Sequence, residues 1–258
     1  MHVGLSKWQH PTWTGKLFPP KTNPKEFLSI YANSFDTIEF NATFYNIYSK
    51  EETGKWNAQL GRAPGFTFCP KFPQNISHIR RLRNAKELTE KFYDGLNGLY
   101  GHLGPAFIQV GENFTHKSFP ELKDYVQALP KEPKVFLEVR HKEWFSDPGH
   151  RALLFSTLRD AGVGSVITDA AGRRDCVHME LTTPEVMIRF VANSKHPTDE
   201  IRLNNWIGRL KDWKAKGLKN AWFFIHSYDE RYAPEIAADF IKKLNSELGL
   251  ALKVPQLL

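Results

Sequence analysis

Short runs rich in β-branched and aromatic residues recur along the chain, at 3–8, 37–41, 66–71, 106–110, 135–140, 165–169, 187–193 and 221–226. Their length and composition read as strands, and most of the segments between them carry helical spacing. Asn23 precedes Pro24 at a helix start, and Ser49 with Glu52 forms a capping box. Looser pairs stand at Asn84 with Glu87 and Ser118 with Glu121, while Asp147–Pro148, Thr198 and Pro234 open further helices. Gly101, Gly162, Gly217 and Gly249 each follow an amphipathic stretch, where a glycine cap stops a helix. In the seventh crossover, Ile201, Trp206, Ile207, Leu210 and Trp213 recur at spacings suited to one apolar stripe. The sixth crossover, between Asp169 and Met187, has room for a loop and at most a short helix.

Eight strands with seven crossovers and a closing helix predict a single (β/α)8 TIM-like barrel over residues 1–258, with a shortened sixth unit. A doubly wound sheet is the alternative. Against it, no strand is followed by a GxGxxG turn, and Gly54, Gly61 and Gly65 are not spaced to cradle a phosphate. No linker is long enough to mark a second domain.

Strand alternation then sorts the polar residues. In 135–140, Val135, Leu137 and Val139 suit the helix-facing side, which turns Phe136, Glu138 and Arg140 inward. The same reading turns inward Glu39 and Asn41 on strand 2, Lys71 above Thr67 and Cys69 on strand 3, and Gln109 on strand 4. It places Asp169 on strand 6, Arg189 on strand 7 and His226 above Trp222 and Phe224 on strand 8, while Ser6 and Trp8 share a parity on strand 1. Buried charge is costly unless paired, yet nearly every strand brings a polar group to its C-terminal end, where this architecture builds its active sites. A ligand site is the favoured reading, and a salt-bridge plug is the structural alternative.

Within that site Glu39, Glu138, Asp169 and His226 are the candidate proton-transfer groups. Lys71, Arg140 and Arg189 combine point charge and planar fork, suited to phosphate or carboxylate. Trp8, Asn41, Tyr45, Gln109, His141 and Trp144 complete the candidate ligand-binding set. The carboxylates and imidazole would also suit a hard divalent cation, but the three cations would neutralise them, and no HExxH or cysteine cluster is present; no metal and no cofactor are expected. Cys69, below Lys71, reads as a buried core thiol.

Charge bears on the ligand more than on the fold. The 258 residues are 41% hydrophobic and 13% aromatic, with 35 Lys+Arg against 28 Asp+Glu, a net +7 spread without a basic tail. That favours anionic partners without demanding nucleic acid. Arg80, Arg81, Arg83 and Lys86, with Arg173–Arg174, lie on loops at the same rim, beside Trp8, Trp13, Tyr45 and Trp144. A single strand stacking there is the competing function, and a solvated basic rim the simpler account. Two cysteines exclude a disulfide framework, and with no long apolar run or signal-peptide pattern a cytoplasmic protein without a membrane partner is expected.

Over nearly its whole length the sequence resembles the DUF72, or YecE-like, family. "VGLSKW" and "WTGKLFPP" fall on its opening pattern through Trp8, Trp13, Gly15, Phe18 and Pro19. "YANSFDTIEFNATFY" matches its second signature at Tyr31, Phe35, Glu39, Asn41, Thr43, Phe44 and Tyr45. "FTFCPKFPQNISH" carries Lys71 and His78, "LGPAFIQV" carries Gly104, Pro105 and Gln109, and "LEVRHKEW" carries Glu138, Arg140, His141 and Trp144. The resemblance implies a TIM-barrel-like fold of unestablished activity. The second half departs from the family pattern: Arg189 is kept in "RFVANS" without the following His-Gly, and "FFIHSYD" places His226 near an expected Asn.

The combined expectation is a barrel that binds a small anionic or polyhydroxylated ligand in its C-terminal mouth. As an enzyme it would be a hydrolase, an isomerase or a phosphate-ester enzyme; alternatively it is a nucleic-acid-binding module, or a non-catalytic ligand sensor.

Overall fold

Eight parallel strands run β1 His2–Leu5, β2 Thr37–Phe40, β3 Thr67–Pro70, β4 Ala106–Gln109, β5 Val135–Glu138, β6 Gly164–Ala170, β7 Glu185–Ala192 and β8 Asn220–Ser227. They are seen in a computed structural model that describes residues 1–60 and 63–258, so Gly61 lies outside the described residues. The sheet order is β3-β2-β1-β8-β7-β6-β5-β4, which brings β4 back towards β3. That seam is the sparsest: bridges join Phe68 with Leu103 and Lys71 with Phe107, and Phe72 N donates to Phe107 O at 2.8 Å. The sheet is thus a nearly closed TIM-like barrel.

Helices fill the crossovers as α1 Phe27–Ser34, α2 Ala42–Tyr45, α3 Lys50–Gln59, α4 Lys86–Leu96, α5 Phe119–Gln127, α6 Glu143–Ser146, α7 Pro148–Ala161 and α8 Pro197–Ala215, and α9 Ala233–Leu248 follows β8. The capping box Ser49–Glu52 opens α3, and Asp147 caps α7 through His150 N. Gly101, Gly162, Gly217 and Gly249 all take positive φ after their helices, a conformation that a β-carbon penalises. Three starts differ from the sequence reading. Ser118 precedes α5 without a side-chain cap, its hydroxyl accepting from Arg81 Nη2 and Glu121 pairing with Arg83 instead. Pro197 moves the α8 cap to His196, whose ring accepts from Thr198 N, and Asn84 sits at φ 48° ahead of α4 without capping it. On α8 the buried stripe is Leu203, Trp206, Ile207, Leu210 and Trp213; Ile201 is 59% exposed, because the helix turns it away from the barrel.

The sixth crossover carries no helix. Side chains tie its backbone down instead: Thr182 Oγ1 donates to Val163 O at 2.7 Å, and Ser165 Oγ donates to Glu180 O at 2.6 Å. His178 lies between Phe145 and Phe155 with Nε2 3.1 Å from Val166 O, and burial pushes its pKa down to about 4, so it is a neutral core residue at physiological pH.

Two apolar layers follow from the alternation. Most of the core lies between strands and helices, while a small cluster of Cys69, Phe107, Phe136, Val166, Met187, Trp222 and Phe224 fills the barrel interior. Gly164 makes room for it, since a β-carbon there would come within 2.2 Å of the Phe136 ring. This packed floor is what the polar mouth stands on.

Candidate functional site

Two residues above that floor on each strand, the inward positions become polar or charged. Glu39 and Glu138 are 0% and 2% exposed, and Arg189 lies between them at 9%. The Arg189 guanidinium grips Glu39 bidentately, Nε to Oε2 and Nη2 to Oε1, both at 2.9 Å. Its Nη1 donates to Glu138 Oε2, also at 2.9 Å. A planar fork satisfies both acids at once, as a point charge would not.

Neutral and cationic groups extend the network on either side. Asn41 Nδ2 donates to Glu39 Oε1 at 2.9 Å, and His226 Nε2 lies 2.8 Å from Glu39 Oε2. Gln109 Nε2 donates to Glu138 Oε2, and Gln109 Oε1 accepts from Lys71 Nζ, each at 2.8 Å. Arg140 Nε stands 3.5 Å from Glu138 Oε1, and its Nη2 is 3.6 Å from the exposed Glu112. Burial alone would raise both acids, but Arg189 outweighs it, helped by His226 at Glu39 and Arg140 at Glu138; Glu39 is held well below the usual carboxylate range and Glu138 below it. Both are ionised at neutral pH.

Lys71 is different in kind. Its only side-chain hydrogen bond is to a neutral amide oxygen, and no carboxylate among the described residues reaches it within 4.0 Å. Nζ sits 4.3 Å from the centre of the Phe44 ring and 5.9 Å from that of Phe107. Burial, and then the Arg189 charge, push its pKa down to about 8. His78, perpendicular to the far side of Phe44 at 5.1 Å, is lowered by burial and by Lys71 and so adds no charge at neutral pH.

Seven sequence candidates therefore meet: Glu39, Asn41, Lys71, Gln109, Glu138, Arg189 and His226, with Arg140 at the edge. Asp169 does not. Val166 belongs to the interior cluster, so alternation turns Asp169 outward, where its carboxylate accepts from Trp206 Nε1 at 2.8 Å and Arg202 Nη2 at 2.9 Å and pairs with Arg174. It fastens α8 and the loop after β6 to the barrel wall. Asp169→Ala should cost about 1–3 kcal/mol in urea unfolding by orphaning those donors, while anion affinity at the mouth stays within threefold.

The aromatic candidates also scatter. Trp144 is 1% exposed, stacked on Phe114, and donates to Phe114 O at 2.7 Å, which makes it a loop anchor. Trp8 packs on Phe40 and Trp56, and Tyr45 stands on the rim at 66% exposure. His141 Nδ1 accepts from Glu143 N at 3.3 Å, fixing the start of α6. The sequence reading did not place Arg173 in the pocket, yet it arches over the mouth, donating to Arg140 O at 3.1 Å and pairing with Glu112 and Asp175. Rim arginines are engaged too: Arg83 with Glu121, Arg81 with Asn113 O and Ser118, and Arg80 with Asn84 O.

Volume and chemistry disagree about where a ligand belongs. A groove of about 1130 Å³ runs between α4 and α5, and another of about 350 Å³ separates α8 from α9. Beside Glu138, under Arg140, Arg173 and Cys176, the void measures only about 10 Å³. Neither groove gathers buried charged groups from several strands, so the mouth remains the candidate, and the open space in it is small. Among the described residues no group of three or more His, Cys, Asp or Glu is arranged to hold a metal ion.

The sequence pattern of the family described as "Protein of unknown function DUF72" matches residues 2–257. The chain belongs to the DUF72 family. The protein called "UPF0759 protein YecE" of Escherichia coli is similar at 27% identity, over 99% of this chain and 98% of that protein. A DUF72 family crystal structure from Thermotoga maritima is similar with a TM-score of 0.72 and 20% identity, covering 95% of this chain and 98% of that one. One from Enterococcus faecalis gives 0.70 and 16%, over 97% and 98%. These DUF72 structures share the fold, and none of the names carries an activity. No helix among the described residues of this DUF72 protein is long and apolar enough to cross a membrane.

Proposed function

We propose that the barrel mouth binds a small anion, a carboxylate or phosphate ester of few atoms. The supporting observation is Lys71, a nearly buried ammonium hydrogen-bonded through its side chain to Gln109 alone. Burying a charge without a counter-charge is expensive, so such a group is retained where a ligand supplies the missing one. Two buried carboxylates, Glu39 and Glu138, face the buried Lys71 and Arg189 and the part-exposed Arg140, an excess of cationic over carboxylate side chains. Glu112, which also faces Arg140, is 61% exposed on its side chain and screened by water.

In this reading Glu39 and Glu138 are positioning residues. Both are held below the usual carboxylate range, Glu39 giving both its oxygens and Glu138 one to Arg189, which makes them poor proton shuttles and good fasteners. Arg140 and Lys71 face the ligand. A polynucleotide on the rim gains little support, since the arginines meant to hold its phosphates already bind protein groups.

Calorimetry with inorganic phosphate, sulfate and citrate, beside a neutral sugar, tests the proposal. Anions should bind in preference to the sugar, and Arg140→Ala should weaken them about tenfold, roughly 1.4 kcal/mol. Affinity should also fall as pH rises through about 8, where Lys71 loses its charge. Sugar binding without anion binding would overturn the reading.

A further inference from the structure

Among the described residues Lys71 is the one amine in the buried network of the mouth, and its surroundings suit a nucleophile as well as an anchor. It projects from the C-terminal end of β3, one residue beyond Pro70, where barrel enzymes place reacting groups. Aromatic carbon lines its approach through Phe44 and Phe107, and the Gln109 oxygen fixes one N–H direction. The residue as a whole keeps 8% of its surface exposed. Gln109 is itself held by Glu138, and Glu138 by Arg189, so the amine is oriented by a chain of buried bonds rather than by a flexible surface.

An ammonium clamped by a carboxylate keeps its proton and its lone pair is unavailable. Lys71 lacks that clamp, and desolvation favours the neutral amine. We propose that Lys71 forms an imine with a small carbonyl compound, an oxo-acid whose carboxylate is held by the cationic mouth. The proposal deepens the anion-binding reading and takes the same site.

The step balances without a further reagent. The neutral Nζ attacks the carbonyl carbon, a C–N bond forms, and the carbonyl oxygen takes a proton from solvent. The protonated carbinolamine then expels that oxygen as water, whose second proton comes from Nζ, and leaves a protonated imine, a C=N bond whose one remaining N–H faces Gln109 Oε1. Hydrolysis reverses it. With a pKa of about 8 against an ordinary 10.5, the free-amine fraction of Lys71 at neutral pH exceeds that of a surface lysine by about 300-fold.

Incubating the protein with glyoxylate and sodium cyanoborohydride traps such an imine, because hydride reduces C=N to a stable secondary amine. Peptide mass mapping should find Lys71 modified at least tenfold faster than the exposed lysines, and Lys71→Arg, checked for its folded melting transition, should lose that fast phase alone. Acetaldehyde in place of glyoxylate separates the two readings. Fast modification of Lys71 by acetaldehyde and glyoxylate alike keeps the amine and sinks the anion requirement. Phosphate binding by calorimetry together with a Lys71 rate no higher than that of surface lysines overturns the imine and leaves the anion site standing. Slow modification with no phosphate binding overturns both.

Discussion

Glu39→Ala will cost the fold about 3–5 kcal/mol, the loss expected when one partner of a buried ion pair is removed. Arg189 then keeps only one of its carboxylates, and the Asn41 amide and His226 ring lose their shared acceptor. A domain of this size holds about 5–15 kcal/mol in total, so the variant should sit near the edge of stability. Urea unfolding with an unchanged denaturant slope measures it. Removing Arg189 as well should recover part of the loss only when Glu138 is neutralised with it, as in Glu39→Met with Arg189→Met and Glu138→Gln, because Arg189 is also the partner of the buried Glu138. A single-variant cost below about 1 kcal/mol would show that the pair is not the fastener described above. The same pair carries a pH signature. Glu39 and Glu138 are both held below their ordinary 4.5, so their contribution is full above 4.5 and fades as pH falls through their folded values.

The barrel was legible from the alternation between strand-like and helical segments because both patterns are enforced by burial. Parity also located Glu39, Lys71, Gln109, Glu138 and Arg189, where polar inward positions stand out against an apolar outward face. It failed at Asp169 for a physical reason. A strand covered on both faces reads apolar throughout, and in β6 Val166, Ile167 and Thr168 offer no contrast by which to orient it. The aromatic residues were misplaced on other grounds. Trp8, Tyr45 and Trp144 lie beyond the strand ends, where periodicity says nothing and the course of the loop decides. Sequence put Arg173 on the rim but not over the pocket, since the helix-free crossover that carries it is shaped by long-range contacts such as those of His178 and Thr182.

What emerges is a division between groups that hold and groups that wait. Arg189 ties Glu39 through both its oxygens and Glu138 through one, which holds all three in place. Lys71 is fastened by the same network but left uncompensated by it. Rigidity in the one is what allows a costly state in the other, as a mobile scaffold would let Lys71 swing out to water.

Lys71→Met isolates that cost. The ammonium has a pKa of about 8 in the folded protein against an ordinary 10.5, so between those values the unfolded chain binds the extra proton. Stability from this group therefore rises with pH across that window: the penalty is whole below 8 and gone above 10.5. A drop of that size is worth about 3 kcal/mol at ~1.4 kcal/mol per pH unit. Methionine removes the titration but keeps the apolar stem against Phe44 and Phe107. Unfolding free energies of both proteins should be compared at pH 7.5 and 10.5, because the difference between them cancels every other lysine. The wild type should gain about 3 kcal/mol on the variant over that interval. A constant difference would mean that Lys71 is compensated in the folded state after all, and with it the case for an incoming anion or a free amine would fall.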